Sequence, residues 1–200
     1  VTVLRHAVNL GYGAALKTGI RHSRHDLICI TDGDETYPND RIPDLIAVLT
    51  QQAVDMVVGA RTKSAIPRIR RPAKWFLAKL AHLVSAQEIP DLNSGLRVFK
   101  RPSAFRFFGL LPDGFSFTTT ITLAMLANNC QVRYIPVNYY TRTGKSKIRP
   151  IRDTGNFIQL ILRIALYFAP LKIFLPFSGL LIFAAVVWGT YSWLILGTLA

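Results

Sequence analysis

Along the first 140 residues, short apolar runs alternate with longer segments of helical composition or spacing, and this alternation predicts strands and helices. Short and nearly continuous apolar runs predict strands at 1–6, 26–31, 54–61, 96–100 and 131–140. Longer segments of helical composition or spacing predict helices at 14–23, 40–52, 73–86 and 117–129. Strands that are apolar on both faces, alternating with helices, are typical of an α/β fold. We therefore expect a mostly parallel sheet with helices on both faces.

The C-terminal segment 173–200 carries no charged residue and is long enough to cross a membrane as a helix. Its aromatic residues Trp188, Tyr191 and Trp193 could lie at one membrane interface. A buried core helix is the alternative. The segment 151–172 is apolar apart from a few basic residues, which predicts an amphipathic helix lying along the membrane. Lysines and arginines on the N-terminal side of the span place the globular part, 1–150, in the cytoplasm.

The charge balance indicates an anionic partner. The chain has 24 lysines and arginines against 11 aspartates and glutamates, a formal net charge of +13. Nucleic acid, a phosphorylated substrate and an acidic membrane surface would each fit. The apolar C-terminal segment and the lack of a nucleic-acid-binding motif argue against nucleic acid. Cys29 and Cys130 form no paired framework and are expected to be buried, reduced thiols.

Two aspartates follow the predicted strand 26–31 in the sequence "ITDGDETYP". Ligands of open α/β sheets bind beyond the carboxyl ends of the strands, which is where this turn should lie. Carboxylates at Asp32 and Asp34 are hard oxygen donors suited to Mg²⁺ or Mn²⁺, whose coordination shell is commonly completed by substrate phosphates. An ordinary acidic turn before the next helix is the other interpretation, and the motif alone leaves both open.

Three further segments carry polar groups suited to an anionic substrate. The glycine-rich "NLGYG" precedes a helix and could hold a phosphate, although a plain strand-to-helix turn would look the same. The turn "DLNSGLR" brings Asp91, Asn93 and Ser94 together around Gly95, where such side chains often only close a turn. Basic loops recur at Arg61, at 68–71 and at 142–147. Next to an acidic turn and a membrane segment, they fit a metal-bound diphosphate and a lipid phosphate.

In this order, the motifs "NLGYGAAL", "DGDETYP", "VVGAR", "DLNSGLRVF", "FSFTTTIT" and "VNYYTRTGKSK", followed by an apolar segment, resemble the family 2 glycosyltransferases of the GT-A fold. More narrowly, they resemble the polyprenyl-phosphate sugar transferases, namely dolichol-phosphate mannose synthases and bactoprenol glucosyltransferases. It implies metal-dependent, inverting transfer of a hexose from a UDP- or GDP-sugar to a polyprenyl phosphate at the cytoplasmic membrane face. A membrane is thus an implied partner and nucleic acid is not, and assembly of identical chains is compatible with this interpretation.

The resemblance also implies roles for particular residues. Asp32 and Asp34 would bind Mg²⁺ or Mn²⁺, and Asp34 and Asp91 would be the catalytic carboxylates. Asp91 would position groups rather than act as a base, since a phosphate acceptor is already ionised. The implied substrate-binding residues are Asn9, Gly11, Arg61, Arg71, Asn93, Ser94, Gly95, Arg142, Lys145 and Ser146.

Two departures from the family pattern affect the expected activity. Members of the family begin with a strand and an acidic nucleotide-binding loop, both of which would precede Val1, so 1–150 is expected to be a partial GT-A domain. Thr36 stands where mannose-transferring members often carry glutamine, which favours another hexose. A truncated, non-catalytic relative that only binds anionic membrane lipid is the alternative function.

Overall fold

The computed structural model describes residues 1–62, 89–114, 116–140, 166 and 170–197. The predicted helix 73–86 lies outside this part of the chain, as does nearly all of the predicted interfacial helix 151–172. The described strands are β1 (Leu27–Ile30), β2 (Met56–Arg61), β3 (Arg97–Lys100) and β4 (Val132–Val137). The described α-helices are α1 (Tyr12–His22), α2 (Ile42–Gln51), α3 (Arg101–Arg106), α4 (Phe117–Ala127) and α5 (Pro170–Leu196).

The four strands form one mixed sheet in the order β1–β3–β2–β4. β2 and β4 pair in parallel, whereas β3 lies antiparallel to both β1 and β2. β1, β2 and β4 therefore run in the same direction, as predicted, and β3 is the exception among the described strands. An apolar run shows that a strand is buried on both faces, but burial does not depend on strand direction. For this reason the sequence did not indicate that β3 is reversed.

Helices cover both faces of the sheet, as the sequence predicts. Met56 and Val58 face a cluster that contains residues of α1 and α4. Between them, Val57 faces the opposite way, into a second cluster with Leu45 and Leu49 of α2. Alternate residues of one fully buried strand thus enter different cores, which is the usual geometry of a pleated strand between two helical layers. The α/β fold class is confirmed.

Two predictions near the N-terminus differ from the structure. Residues 1–6 are not a strand, and Val1 and Val3 are exposed. A strand requires a hydrogen-bonded neighbour, and none of the described strands pairs with this segment. Cys29, expected to be buried, is also exposed. It lies on β1 at one end of the described sheet, where Ile28 and Ile30 are buried in one core while Leu27, on the same face as Cys29, is only partly covered by the other.

The apolar C-terminal segment forms the helix α5. Within it, 22 residues from Phe174 to Ile195 are long and apolar enough to span a membrane, and none of the most apolar window is buried inside the protein. The exposed surface of this helix argues against the alternative of a buried core helix, because such a helix would be covered by its own fold. Trp188 and Tyr191 lie near the C-terminal end of the span, with ring centroids 6.2 Å apart.

Candidate active site

One edge of the sheet collects the loops that carry the candidate residues. β1 and β2 run in the same direction, so the turn after Ile30 and the residue Arg61 lie at the same edge. β3 runs the opposite way and begins at this edge, which brings in the preceding segment 91–95. The reversed strand therefore adds a fourth loop to the three that follow β1, β2 and β4 at this edge.

Asp34 is held in a tight turn by Thr36. Its Oδ1 accepts a hydrogen bond from Thr36 Oγ1 at 2.6 Å and a longer one from Thr36 N at 3.4 Å. Between them, Glu35 adopts a left-handed backbone with φ of 59°. The Thr36 carbonyl accepts a bond from Tyr140 N at 3.0 Å, so the turn is attached to the segment after β4. The two bonds to Oδ1 orient the carboxylate of Asp34, and the shorter of them is donated by the hydroxyl of Thr36.

Asp32 lies against the backbone of Gly95. A Cβ atom at Gly95 would overlap the Asp32 carboxylate, so only glycine permits this approach. On the other side, the hydroxyl of Tyr12 lies 3.5 Å from Asp32 Oδ1. Burial, together with the Asp32 charge, raises the pKa of Tyr12 to about 12. Tyr12 therefore remains a neutral phenol at physiological pH and can donate its proton to the carboxylate.

Arg61 and Asp91 form a bidentate ion pair at the same edge. Arg61 Nε donates to Asp91 Oδ2 at 2.6 Å, and Nη2 donates to Oδ1 at 2.9 Å. The backbone N–H groups of Arg61 and Asn93 add further bonds to the carboxylate, each at 3.2 Å. Burial alone would raise the pKa of Asp91, but the hydrogen bonds and charge of Arg61 outweigh it and hold this pKa below its ordinary value. Asp91 is thus an ionised group with both oxygens engaged, which suits positioning better than proton abstraction.

The segment around Ser94 is held by hydrogen bonds to β2, to the turn after β1 and to α4. Ser94 Oγ donates to the Gly59 carbonyl at 2.6 Å, and Gly95 N donates to the Tyr37 hydroxyl at 2.8 Å. Asn93 Oδ1 accepts a bond from Thr119 Oγ1 of α4. Ser94 and Gly95 are buried, whereas Asn93 is exposed. The Ser94 hydroxyl fixes the loop on β2, and its contact with substrate remains a prediction.

For the glycine-rich loop before α1, the structure favours the plain turn over the phosphate cradle. Gly13 N donates to the Gly114 carbonyl at 3.1 Å, and Ala14 N donates to the Asp113 carbonyl at 3.0 Å. These N–H groups at the start of the helix would have to face a phosphate, but here they bind a neighbouring loop. Gly11, with φ of 102°, donates its N–H to Asn9 Oδ1 at 2.9 Å. Asn9 and Gly11 instead line a cavity of about 360 Å³ formed by residues 4–18, and their contact with substrate remains a prediction.

Four predicted substrate-binding residues, Arg71, Arg142, Lys145 and Ser146, lie outside the described residues.

The structure also adds residues that the sequence analysis did not single out. Tyr12 and Tyr37 contact Asp32 and Gly95, and Tyr139 places its ring 5.3 Å from the Arg61 guanidinium. Each tyrosine lies inside or beside a recognised motif, but a tyrosine in an apolar context is usually core, so sequence alone carries no signal for its role.

The donor set fits a divalent cation of the magnesium type. Asp32 and Asp34 supply carboxylate oxygens, and within the described parts of the chain no cluster of three or more His, Cys, Asp or Glu side chains exists. Two carboxylates are too few for a structural zinc or calcium cage, but they match an ion that takes one or two carboxylates and fills its shell with water and substrate phosphate. Because residue 95 is a glycine, the Asp32 carboxylate lies directly against the backbone of the segment 91–95.

Comparison with known proteins identifies the family. Residues 1–108, more than half of the chain, match Glycosyl transferase family 2. The chain belongs to this family. The predicted assignment to the family 2 glycosyltransferases is thereby confirmed, and it covers the turn of Asp32 and Asp34, the strand ending at Arg61 and the segment 91–95.

Among curated proteins, the chain is similar to a dolichyl-phosphate hexose transferase of Haloferax volcanii, with 26% identity over 159 residues. That match covers 78% of this chain and 68% of the relative. A dolichyl-phosphate β-glucosyltransferase of Trichomonas vaginalis is 26% identical over 181 residues, covering 84% of this chain and 52% of the relative. A hexosyltransferase of low-salt glycan biosynthesis from H. volcanii is 24% identical, and the chain spans 38% of its length.

The fold is that of solved GT-A enzymes. Glucosyl-3-phosphoglycerate synthase of Mycobacterium tuberculosis, in complex with phosphoglyceric acid, superimposes with a TM-score of 0.59 at 18% sequence identity. The match covers 82% of this chain and 56% of that enzyme. The same enzyme with Mn²⁺, UDP-glucose and phosphoglyceric acid gives a TM-score of 0.57. At this identity the similarity concerns the fold, and the GT-A prediction is confirmed.

Proposed function

We propose that the full-length protein transfers a hexose from a nucleotide sugar to a polyprenyl phosphate at the cytoplasmic face of a membrane, with inversion at the anomeric carbon. The observation that carries this proposal is the convergence of Asp32, Asp34 and the Arg61–Asp91 pair at one sheet edge. The membrane-length helix α5 and the dolichyl-phosphate transferases among the relatives support a lipid acceptor.

Asp32 and Asp34 would hold Mg²⁺ or Mn²⁺ together with the donor diphosphate. The bound ion would offset the negative charge that develops on the leaving nucleoside diphosphate. The hydrogen bonds of Thr36 and Tyr12 hold these carboxylates in place before substrate binds, so little reorganisation is needed at the moment of transfer. A fold relative solved with Mn²⁺ and UDP-glucose supports this choice of ion and donor class.

Arg61 would meet an anionic group of one of the two substrates. Its pairing with Asp91 uses two of the five guanidinium N–H groups, so the remaining ones can donate to a phosphate oxygen. Asp91 sets the plane of the guanidinium, and the exposed ring of Tyr139 lies 5.3 Å from it. Because the acceptor phosphate is ionised at neutral pH, the reaction needs orientation more than it needs a base. Arg71, Arg142, Lys145 and Ser146 are proposed to complete the binding of the anions.

The decisive assay incubates the detergent-solubilised full-length protein with one polyprenyl phosphate and radiolabelled UDP-glucose, GDP-mannose or a related donor in turn, with and without Mn²⁺. We expect label in the lipid fraction with one donor, dependent on the metal. Absence of transfer with every donor, together with binding to anionic vesicles, would instead favour the non-catalytic lipid-binding alternative. Metal-independent transfer would contradict the role of Asp32 and Asp34.

A further inference from the structure

Arg97 is a fully buried arginine, and in the described residues it forms no ion pair with a carboxylate. It stands at the start of β3, next to the loop that ends at Gly95. Its hydrogen bonds go to uncharged acceptors. The Asp91 carboxylate is near enough to interact with the guanidinium charge but is paired with Arg61 instead. Burying a guanidinium without a paired carboxylate is costly, so a core position that needed only volume would favour an apolar residue. The cost suggests that the guanidinium makes hydrogen bonds that an apolar side chain of similar volume could not make.

The hydrogen bonds of Arg97 join two elements. Nε and Nη2 both donate to the Ser94 carbonyl, at 3.2 and 2.5 Å. Nη1 donates to the Thr118 carbonyl and to Thr122 Oγ1 on α4, each at 2.9 Å. The planar fork of arginine can satisfy these acceptors simultaneously, whereas the single ammonium group of a lysine cannot. Arg97 therefore fastens the main chain at Ser94 to the first turns of α4.

The fastened carbonyl immediately precedes the residue that touches Asp32. Gly95 lies so close to the Asp32 carboxylate that a Cβ atom would overlap it. A shift of the main chain at Ser94 would move Gly95, and the Asp32 carboxylate would lose or change its contact with the Gly95 backbone. Asn93, one residue earlier, is tied to the same helix through Thr119. The loop is thus fixed to α4 at two points, through Arg97 and through Thr119.

We propose that Arg97 is a positioning residue for the metal site: by holding Ser94 and Gly95 in place, it fixes the carboxylate of Asp32. The inference rests on the proposed function, because it assumes that Asp32 binds Mg²⁺ or Mn²⁺. Arg97 touches neither metal nor substrate, and it acts only through the loop. Residues that orient a metal ligand from outside its coordination shell commonly change metal affinity when they are replaced.

The test measures Mn²⁺ binding to the full-length protein without donor, by the loss of the electron paramagnetic resonance signal of free Mn²⁺. We expect Arg97→Met to weaken Mn²⁺ binding roughly 10-fold or more. The matched control is Arg133→Met, which removes an exposed arginine from β4 of the same sheet and should leave the affinity unchanged. A melting curve for each variant establishes that the measured protein is folded.

The outcomes separate the inference from the proposed function. If wild-type protein binds Mn²⁺ and Arg97→Met is folded with the same affinity, Arg97 has only a structural role and the inference is wrong. If Arg97→Met does not fold, Arg97→Lys is measured in its place. It keeps the charge but loses the fork, and wild-type affinity in that variant would equally overturn the inference. If wild-type protein without donor binds no Mn²⁺, the inference is overturned, whereas the proposed function is decided separately by the metal dependence of hexose transfer in the presence of donor.

Discussion

Arg61 and Asp91 are 30 positions apart in the chain, yet their side chains form a bidentate ion pair with N–O distances of 2.6 and 2.9 Å. The Asp91 side chain is 9% exposed and that of Arg61 is 23% exposed. The pair joins the end of β2 to the loop before β3, and it fixes the orientation of the guanidinium at the sheet edge that carries Asp32 and Asp34.

Asp91→Asn should therefore impair both stability and transfer. The substitution keeps the shape but leaves the partly buried guanidinium without its counter-charge, at a cost of about 2 kcal/mol in unfolding free energy. The matched control is Asp44→Asn, which breaks the exposed Arg41–Asp44 pair and should cost less than about 1 kcal/mol. Denaturant unfolding and hexose transfer measure the two effects. Equal stabilities of the two variants would contradict the structural role of the pair.

The same pair predicts a pH dependence of stability. The pKa of Asp91 is lowered in the folded protein, so its stabilisation is fully present above the ordinary aspartate value of about 4. It is lost as the pH falls below that value and through the lowered pKa. Melting temperatures measured from pH 7 downward should show this loss in wild-type protein, and the slope at low pH should be smaller for Asp91→Asn. Identical slopes would exclude Asp91 as the titrating group.

Asp34→Ala should abolish metal-dependent transfer while the protein remains in the membrane fraction. The substitution removes one of two carboxylate ligands, whereas the apolar helix α5 is untouched. Asp40→Ala is the control, since Asp40 is an exposed carboxylate six positions later. Incorporation of radiolabelled hexose into lipid is the measurement, with sedimentation of membranes alongside. Unchanged incorporation in the Asp34 variant would refute the assigned role.

Gly95→Ala should displace the carboxylate of Asp32. The added Cβ has no room beside the carboxylate, and a displacement on the order of 1 Å at a reacting centre can cost about 100-fold in rate. Gly109→Ala adds the same methyl group at an open position and should leave transfer unaffected. Both rates are measured at saturating donor and Mn²⁺. Full activity of the Gly95 variant would show that the contact with Asp32 is not needed for transfer.

Two glycines of α1 should respond to alanine in opposite directions. At Gly13 a Cβ would collide with the Pro112 and Gly114 carbonyls, which should destabilise the protein by roughly 1–3 kcal/mol. Gly19 lies in the same helix with open space around it, so alanine should stabilise by about 0.5–1 kcal/mol. Chemical unfolding of the two variants gives the sign directly. A neutral Gly13→Ala would mean that the 112–114 loop does not pack on this helix.

Local patterns were sufficient for much of the architecture. Apolar runs and segments of helical composition predicted α2, α4, β2 and β4 close to their observed bounds, because these segments carry apolar residues of the fold's cores. The uncharged run at 173–200 predicted a membrane-length helix, since length and hydropathy alone decide that property. Resemblance of the ordered motifs was enough for the family, which the match of residues 1–108 confirms.

Only the tertiary structure decided how these motifs meet. The antiparallel direction of β3 brings Asp91 to Arg61 and Gly95 to Asp32, and an apolar strand reads the same in either direction. The tertiary structure also buries Ser94 against β2. At the start of α1 it pairs the N–H groups with the carbonyls of Asp113 and Gly114, where the sequence allowed a phosphate. Such contacts join residues far apart in the chain, and their partners depend on packing distances that no local spacing of residues encodes.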